Sequence, residues 1–171
     1  MISIENSFLA DKSAGEVYGV FSQIEKMAWA FPTVVRVEVI DDDHVNLGLL
    51  LKMGLLPLDN NVSLAVIERT APTRLIAEGI ALPGKGLASV ARIADKEGMT
   101  KISMVLEIEE LDILKCRVRY RIQADASGKL KRVYDSIIKG QRVKLESAFI
   151  SNVGAILGAP IVEEAGAARA D

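Results

Sequence analysis

What this chain of 171 residues has least of is reactive chemistry: one cysteine, one histidine and aromatics at 5% of the sequence. A lone Cys116 excludes an intramolecular disulfide and supplies too few thiolates for a zinc or iron–sulfur centre. A lone His44 leaves no second imidazole for a metal site, and its place in an acidic turn argues against a Ser-His or Cys-His nucleophile. No cofactor or metal is expected. Long hydrophobic runs are missing too. The most apolar one, Val45 to Leu58, is 14 residues long and carries Lys52, short of the ~20 residues that span a bilayer. The charge is nearly balanced, 21 basic against 23 acidic residues, which does not favour nucleic acid as a partner. The N-terminus enters a strand-like alternation without the regions of a signal peptide, so the expected location is cytoplasmic.

What is plentiful is aliphatic material: half the residues are hydrophobic and the mean hydropathy is +0.25. That is ample for a core and for an apolar pocket besides. The longest ordered stretch is Gly128 to Leu157. Leu130, Val133, Tyr134, Ile137, Ile138, Leu145, Ala148, Phe149, Val153 and Ile156 recur there at three-and-four spacing, which predicts one amphipathic helix about 45 Å long. Asp125 or Ser127 can cap its start, and Gly158 with Pro160 stops it. Tyr134, Gln141 and Asn152 project within about 20° of one another at the centre of its buried stripe. A buried amide without partners costs ~1–3 kcal/mol. Each must therefore meet a strand backbone, water or a ligand, and together they point to a cavity beneath the helix.

Ahead of the helix, Ile2, Ile4 and Phe8 alternate as a strand. Ser13 to Glu16 forms a capping box for a short helix, and Ser22 can cap a second one that ends before Pro32. From Val34 the period becomes two: Val35, Val37 and Val39 face one way against Arg36 and Glu38, and further strands cover about 45–52, 61–70, 74–82, 99–109 and 114–124. In the last pair Met104, Leu106, Ile108, Cys116, Val118 and Tyr120 point inward, and the register brings Glu107 and Glu109 beside Lys115 and Arg117. Residues 83–98 read as a lid-like loop with helical turns. The expected class is α+β: a seven-stranded curved antiparallel sheet wrapped around the long helix, with two short helices after the first strand and a hollow between sheet and helix. Residues 1–158 form one domain in this reading, and the alanine-rich 159–171 is a disordered tail.

Three stretches, EVYGVFSQIEKMAWAFPTV at 16–34, KMGLLPLDNNVSLAVIERTAPTRL at 52–75 and YRIQADASGKLKRVYDSIIKG at 120–140, resemble the START-like or helix-grip superfamily (SRPBCC). Within it they are most similar to the carbon monoxide dehydrogenase G-subunit family. The likeness covers most of residues 1–157. It departs at Pro32, followed by Thr33 where relatives often have glycine, and over 83–98. The resemblance implies a helix-grip fold, a small lipophilic ligand such as a lipid or quinone, and assistance to a molybdenum-containing dehydrogenase, with an oxidoreductase complex and a peripheral membrane contact as partners. The superfamily also contains polyketide cyclases.

The residues themselves offer three functions. As a carrier, the chain would line its cavity with Tyr120, Tyr134, Gln141, Asn152 and Met104, gated by the apolar loop that includes Leu55, Leu56 and Pro57, which resembles the gate of plant hormone-binding relatives. As a cyclase or dehydratase, it would use Glu78 and Tyr120 as an acid–base pair, because a desolvated carboxylate is held near neutral pKa. That requires the Ile76, Glu78, Ile80 and Leu82 face of its strand to be the inner one; the Leu75, Ala77, Gly79 and Ala81 face fits equally well. As a recruitment module, it would present Lys129, Lys131 and Arg132, cations at the helix end where the macrodipole disfavours them, to anionic lipid or an acidic protein. Asp41 to His44 reads as a solvated turn. PGKGL at 83–87 lacks the spacing of a P-loop.

Overall fold

The structure, a computed structural model, describes residues 2–53, 56–86, 99–126 and 128–164, and side chains over 2–52, 59–84, 99–126, 131–132 and 134–164. Strand β1 (Ile2–Ala10) leads into helices α1 (Ala14–Phe21) and α2 (Ile24–Ala30). Six strands follow: β2 (Val34–Val39), β3 (His44–Met53), β4 (Leu56–Thr70), β5 (Arg74–Gly86), β6 (Thr100–Asp112) and β7 (Lys115–Ala126). Helix α3 (Gly128–Leu157) and strand β8 (Ile161–Glu163) complete the chain. The described strands form one sheet in the order β2-β3-β4-β5-β6-β7-β1-β8, every pairing antiparallel.

Local chemistry sets the element ends. Ser13 Oγ accepts from Glu16 N at 3.2 Å and donates to Glu16 Oε1 at 3.2 Å, so the box closes through the two side chains. Ser22 does not cap α2. Its hydroxyl donates to Gly19 O and finishes α1, while Gln23 takes the N-cap position of α2 with no side-chain bond. Of the two residues expected to cap α3, Asp125 lies at the end of β7 opposite Lys101, and Ser127 is outside the described residues. Gly158 ends α3 at φ 64°, in the left-handed region that glycine enters at no steric cost.

Pairing decides which strand faces are inner. Leu106 opposes Tyr120, Ile108 opposes Val118 and Leu75 opposes Leu106, so the apolar rows of β5, β6 and β7 share one face. On the outer face Glu109 meets Arg117 and Glu107 meets Arg119. The charge ladder is therefore set one pair along from the expected neighbours, with Leu111 as the extra residue near the hairpin tip. A bulge at Val35 likewise breaks the expected Val35–Val37–Val39 row: Val34 is buried and Val35 exposed. Tight coiling between β4 and β5 passes through Gly79, where an added Cβ would sit 2.5 Å from Ser63 O.

Two expectations fail at the ends of elements. The sheet has eight described strands rather than seven, because residues expected in the disordered tail pair with β1 as β8. Glu164 fastens that strand: its N–H donates to Ser7 O at 3.1 Å, and its carboxylate accepts from Arg117 Nε at 2.8 Å and Ser7 Oγ at 3.0 Å. In the expected 83–98 loop, residues 83–86 instead continue β5; 87–98 lie outside the described residues.

Among the described residues two apolar clusters result. One joins Phe8, Val17, Phe21, Val118, Phe149 and Val153 beneath α1 and the C-terminal half of α3. The other joins Val45, Leu47, Val62 and Ala81 beneath Ala28 of α2.

Candidate functional site

Between the two clusters lies a cavity of about 300 Å³. The sheet supplies its floor through Leu49, Leu64, Ala77, Met104, Tyr120 and Ile122; α1 and α2 close one side with Phe21, Met27 and Phe31. Helix α3 covers it with Ile138, Leu145, Glu146 and Phe149. The lining is overwhelmingly aliphatic and aromatic, the composition of a site that binds by burial. At one end Arg69 ties three elements together. Its Nε donates to Asp43 Oδ1 at 2.8 Å, Nη1 to Ser22 O at 3.0 Å and Nη2 to Asp42 O at 2.6 Å. A single guanidinium thus fixes the β2–β3 turn against the α1–α2 junction.

The polar residues expected to look into the cavity divide into two groups. Tyr120 does look in, as does Met104. Tyr134, Gln141 and Asn152 do not. Each holds α3 to a different element: Tyr134 Oη donates to buried Asn60 Oδ1 at 2.7 Å, Gln141 Nε2 to Lys52 O at 2.7 Å, and Asn152 Nδ2 to Ala30 O at 3.0 Å. They share an azimuth, yet Tyr134 and Asn152 stand 18 positions apart, ~27 Å along the axis. One cavity cannot receive all three. Each gives a hydrogen bond to another element of the protein, so they are struts for the helix.

Glu78 is exposed, on the face opposite Tyr120. The inner row of β5 is Leu75, Ala77, Gly79 and Ala81, because those residues oppose Leu106, Met104, Ile102 and Thr100. A Glu78–Tyr120 acid–base pair is thereby overturned: the sheet itself separates the two groups. Leu55 lies outside the described residues; Leu56 and Pro57 lie at the start of β4, with side chains outside them. Lys131 and Arg132 are exposed on α3, and the Lys129 side chain is not among those described.

Glu146 is the lining residue the sequence hid. It forms an (i, i+4) pair with Arg142, Nε to Oε1 at 2.8 Å, which by spacing alone resembles a solvated helix face. Its side chain is nevertheless only 21% exposed and lines the cavity. Tyr120 is 5% exposed, with the Phe149 ring 5.1 Å from its own. Burial, then the charges of Glu146 and Glu163, push its phenol well above the ordinary range. Asn6, opposite it on β1, pulls weakly the other way. Its hydroxyl makes no hydrogen bond that meets distance and angle requirements.

The remaining candidates are structural. Asp41 Oδ1 accepts from Asp43 N, His44 N and His44 Nδ1, each at 2.8 Å, closing an exposed turn; the His44 side chain first, then the Asp43 amide, hold the Asp41 carboxyl below its usual value. Cys116 is fully buried in the core, where desolvation raises its thiol pKa and keeps it neutral. Among the described residues no group of three or more His, Cys, Asp or Glu converges as metal ligands. None of the helices among them is long and apolar enough to cross a membrane.

No protein-family model matches this chain, and no curated protein is significantly similar to it in sequence. Solved structures are similar in fold. A conserved protein from Geobacillus kaustophilus superposes with a TM-score of 0.68 at 13% identity, over 94% of this chain and 99% of that one. A START superfamily protein from Mycobacterium smegmatis superposes with a TM-score of 0.57 at 10% identity, over 90% and 98%. Norcoclaurine synthase from Thalictrum flavum, solved with dopamine and hydroxybenzaldehyde, gives 0.57 at 10%, over 91% and 86%. The chain therefore has a START-like, helix-grip fold.

Proposed function

We propose that this START-like chain binds or carries a small lipophilic molecule in the cavity between its sheet and long helix. The observation that carries the reading is the cavity itself: about 300 Å³ of space walled almost wholly by apolar side chains, while Tyr134, Gln141 and Asn152 of α3 bond to other elements of the protein. An empty apolar cavity forfeits dispersion contacts along its lining, so an apolar occupant is favoured both by burial and by filling.

The test is native mass spectrometry of the full chain purified without detergent, with extraction and identification of bound material, followed by titration with the neutral apolar dye N-phenylnaphthylamine. A stoichiometric apolar molecule, or saturable dye binding that extracted lipid displaces, is expected. A clean mass together with no saturable dye binding would sink the proposal.

The finer reading places this carrier beside a molybdenum-containing dehydrogenase, on the strength of the likeness to the carbon monoxide dehydrogenase G-subunit family, with Lys129, Lys131 and Arg132 as the contact surface. Affinity purification of the tagged chain from its native cells is expected to retain such an enzyme and to lose it when the three cations are replaced by glutamine. Retention of no oxidoreductase by the unaltered chain would remove this reading and leave the carrier standing.

A further inference from the structure

We propose that the molecule bound in the cavity carries a hydroxyl group, which accepts a hydrogen bond from the Tyr120 phenol and donates one to the Glu146 carboxylate. The inference rests on the carrier reading and specifies the chemistry of its ligand.

Tyr120 lines the cavity, is 5% exposed, and has a hydroxyl that makes no hydrogen bond of good geometry, Asn6 across the β1 pairing being the nearby polar side chain that falls short of one. Buried hydroxyls are rarely left so, because the lost bond to water is not replaced. The ring cannot turn away to find water. Phe149 packs against it at 5.1 Å and Phe8 at 6.3 Å, both from the core around it. An unmade bond therefore stands at a fixed place in the wall of an apolar cavity.

Glu146 lines the same cavity, near enough for its charge to act on the phenol. It lies one helical turn before Phe149, the residue that touches Tyr120. Arg142 occupies Oε1, which leaves Oε2 for another donor. A phenol without an acceptor and a carboxylate with one oxygen free to accept thus line one cavity.

Candidate head groups separate on this pair. A carboxylate would be repelled by Glu146. A pure hydrocarbon would leave the phenol orphaned and strip water from a charge. A cation would compete with Arg142, which already pairs with one oxygen of the carboxylate. A ketone or ether would serve Tyr120 alone. A hydroxyl has one donor and two acceptor positions and serves both. A site with buried hydrogen-bonding groups also discriminates strongly against an analogue that lacks the matching group.

The test is calorimetric titration of the full chain with naphthol, methoxynaphthalene and naphthalene, which share a ring system and differ in the polar group. Naphthol is expected to bind at least about tenfold more tightly than naphthalene, the equivalent of roughly 1.4 kcal/mol, although naphthalene is the more hydrophobic. Methoxynaphthalene, able only to accept, is expected to fall between them. In Tyr120→Phe and in Glu146→Leu the naphthol-to-naphthalene affinity ratio should drop severalfold toward one; a general packing defect would weaken both ligands and leave the ratio alone. Equal affinities for the three ligands in the unaltered chain would overturn the hydroxyl inference and leave the cavity as an apolar site. Binding of none of them by a chain that still binds the dye would overturn the hydroxyl inference alone; a clean native mass with no dye binding as well would overturn the carrier reading with it.

Discussion

At the scale of single residues, the same side-chain type has opposite roles according to what stands opposite it. Tyr134 and Tyr120 are both buried phenols, but the first has Asn60 at 2.7 Å and the second has no partner. Removing the Tyr134 hydroxyl in Tyr134→Phe leaves the Asn60 carbonyl buried and unpaired, an expected loss of about 1–3 kcal/mol. A melting experiment reads this as roughly 2–4 °C per kcal/mol for a chain of this size. No loss of melting temperature would mean that the bond is not made. Glu78→Gln, on the outer face, is expected to change stability by less than about 0.5 kcal/mol and to leave naphthol binding intact. A large loss of binding would restore that carboxylate to the site.

At the scale of elements, the sheet is held at one edge by β8 and curled in its middle by glycine. Glu164 clasps β8 to β1 and β7, and its carboxyl is held below the ordinary value of 4.5 chiefly by the Arg117 hydrogen bond. A folded-state pKa below the unfolded one means a contribution that is complete above 4.5 and is lost as pH falls through the folded value. Glu164→Gln should therefore melt below the unaltered chain at about pH 7, and the gap should close as pH falls through the lowered folded value. A gap that persists in acid would assign the difference to something other than the charge. Gly79→Ala forces a Cβ to within 2.5 Å of Ser63 O on the neighbouring strand. Because backbone must move to admit it, the expected cost is about 1–3 kcal/mol in denaturant unfolding; a neutral effect would show that the coil between β4 and β5 is loose.

At the scale of the whole molecule, the cavity exists because α3, packed in the core at its C-terminal end, is propped rather than packed over its middle. Struts at Tyr134, Gln141 and Asn152 fix it to β4, β3 and α2, while Ile138 and Leu145 between them face open space. Ala77 lies on the floor beneath. In a filled core an Ala→Phe change would be severely overpacked; here the added ring has room. Ala77→Phe is expected to cost less than about 1 kcal/mol in denaturant unfolding and to abolish dye binding. Retained binding would place the ligand elsewhere, and outright unfolding would show that the cavity is not available space.

Periodicity in the sequence determined the elements. The three-and-four spacing marked Gly128 to Leu157, the alternation marked the strands and the inner rows of β6 and β7, and scarce cysteine and histidine set aside thiol and imidazole chemistry. These are local properties, fixed by a residue's neighbours along the chain. Four matters depended on which surfaces meet, and only the tertiary structure decided them. The inner face of β5 was ambiguous because both of its rows are largely apolar; pairing with β6 turned Glu78 outward. Tyr134, Gln141 and Asn152 share an azimuth, but a helix's azimuth says nothing of what lies opposite at each height, and three different elements were there. Glu146 carried the spacing of a surface ion pair, and β8 was too short to announce itself. A helical wheel and a strand alternation give directions; a site also needs distances between distant parts of the chain, and those are set by packing.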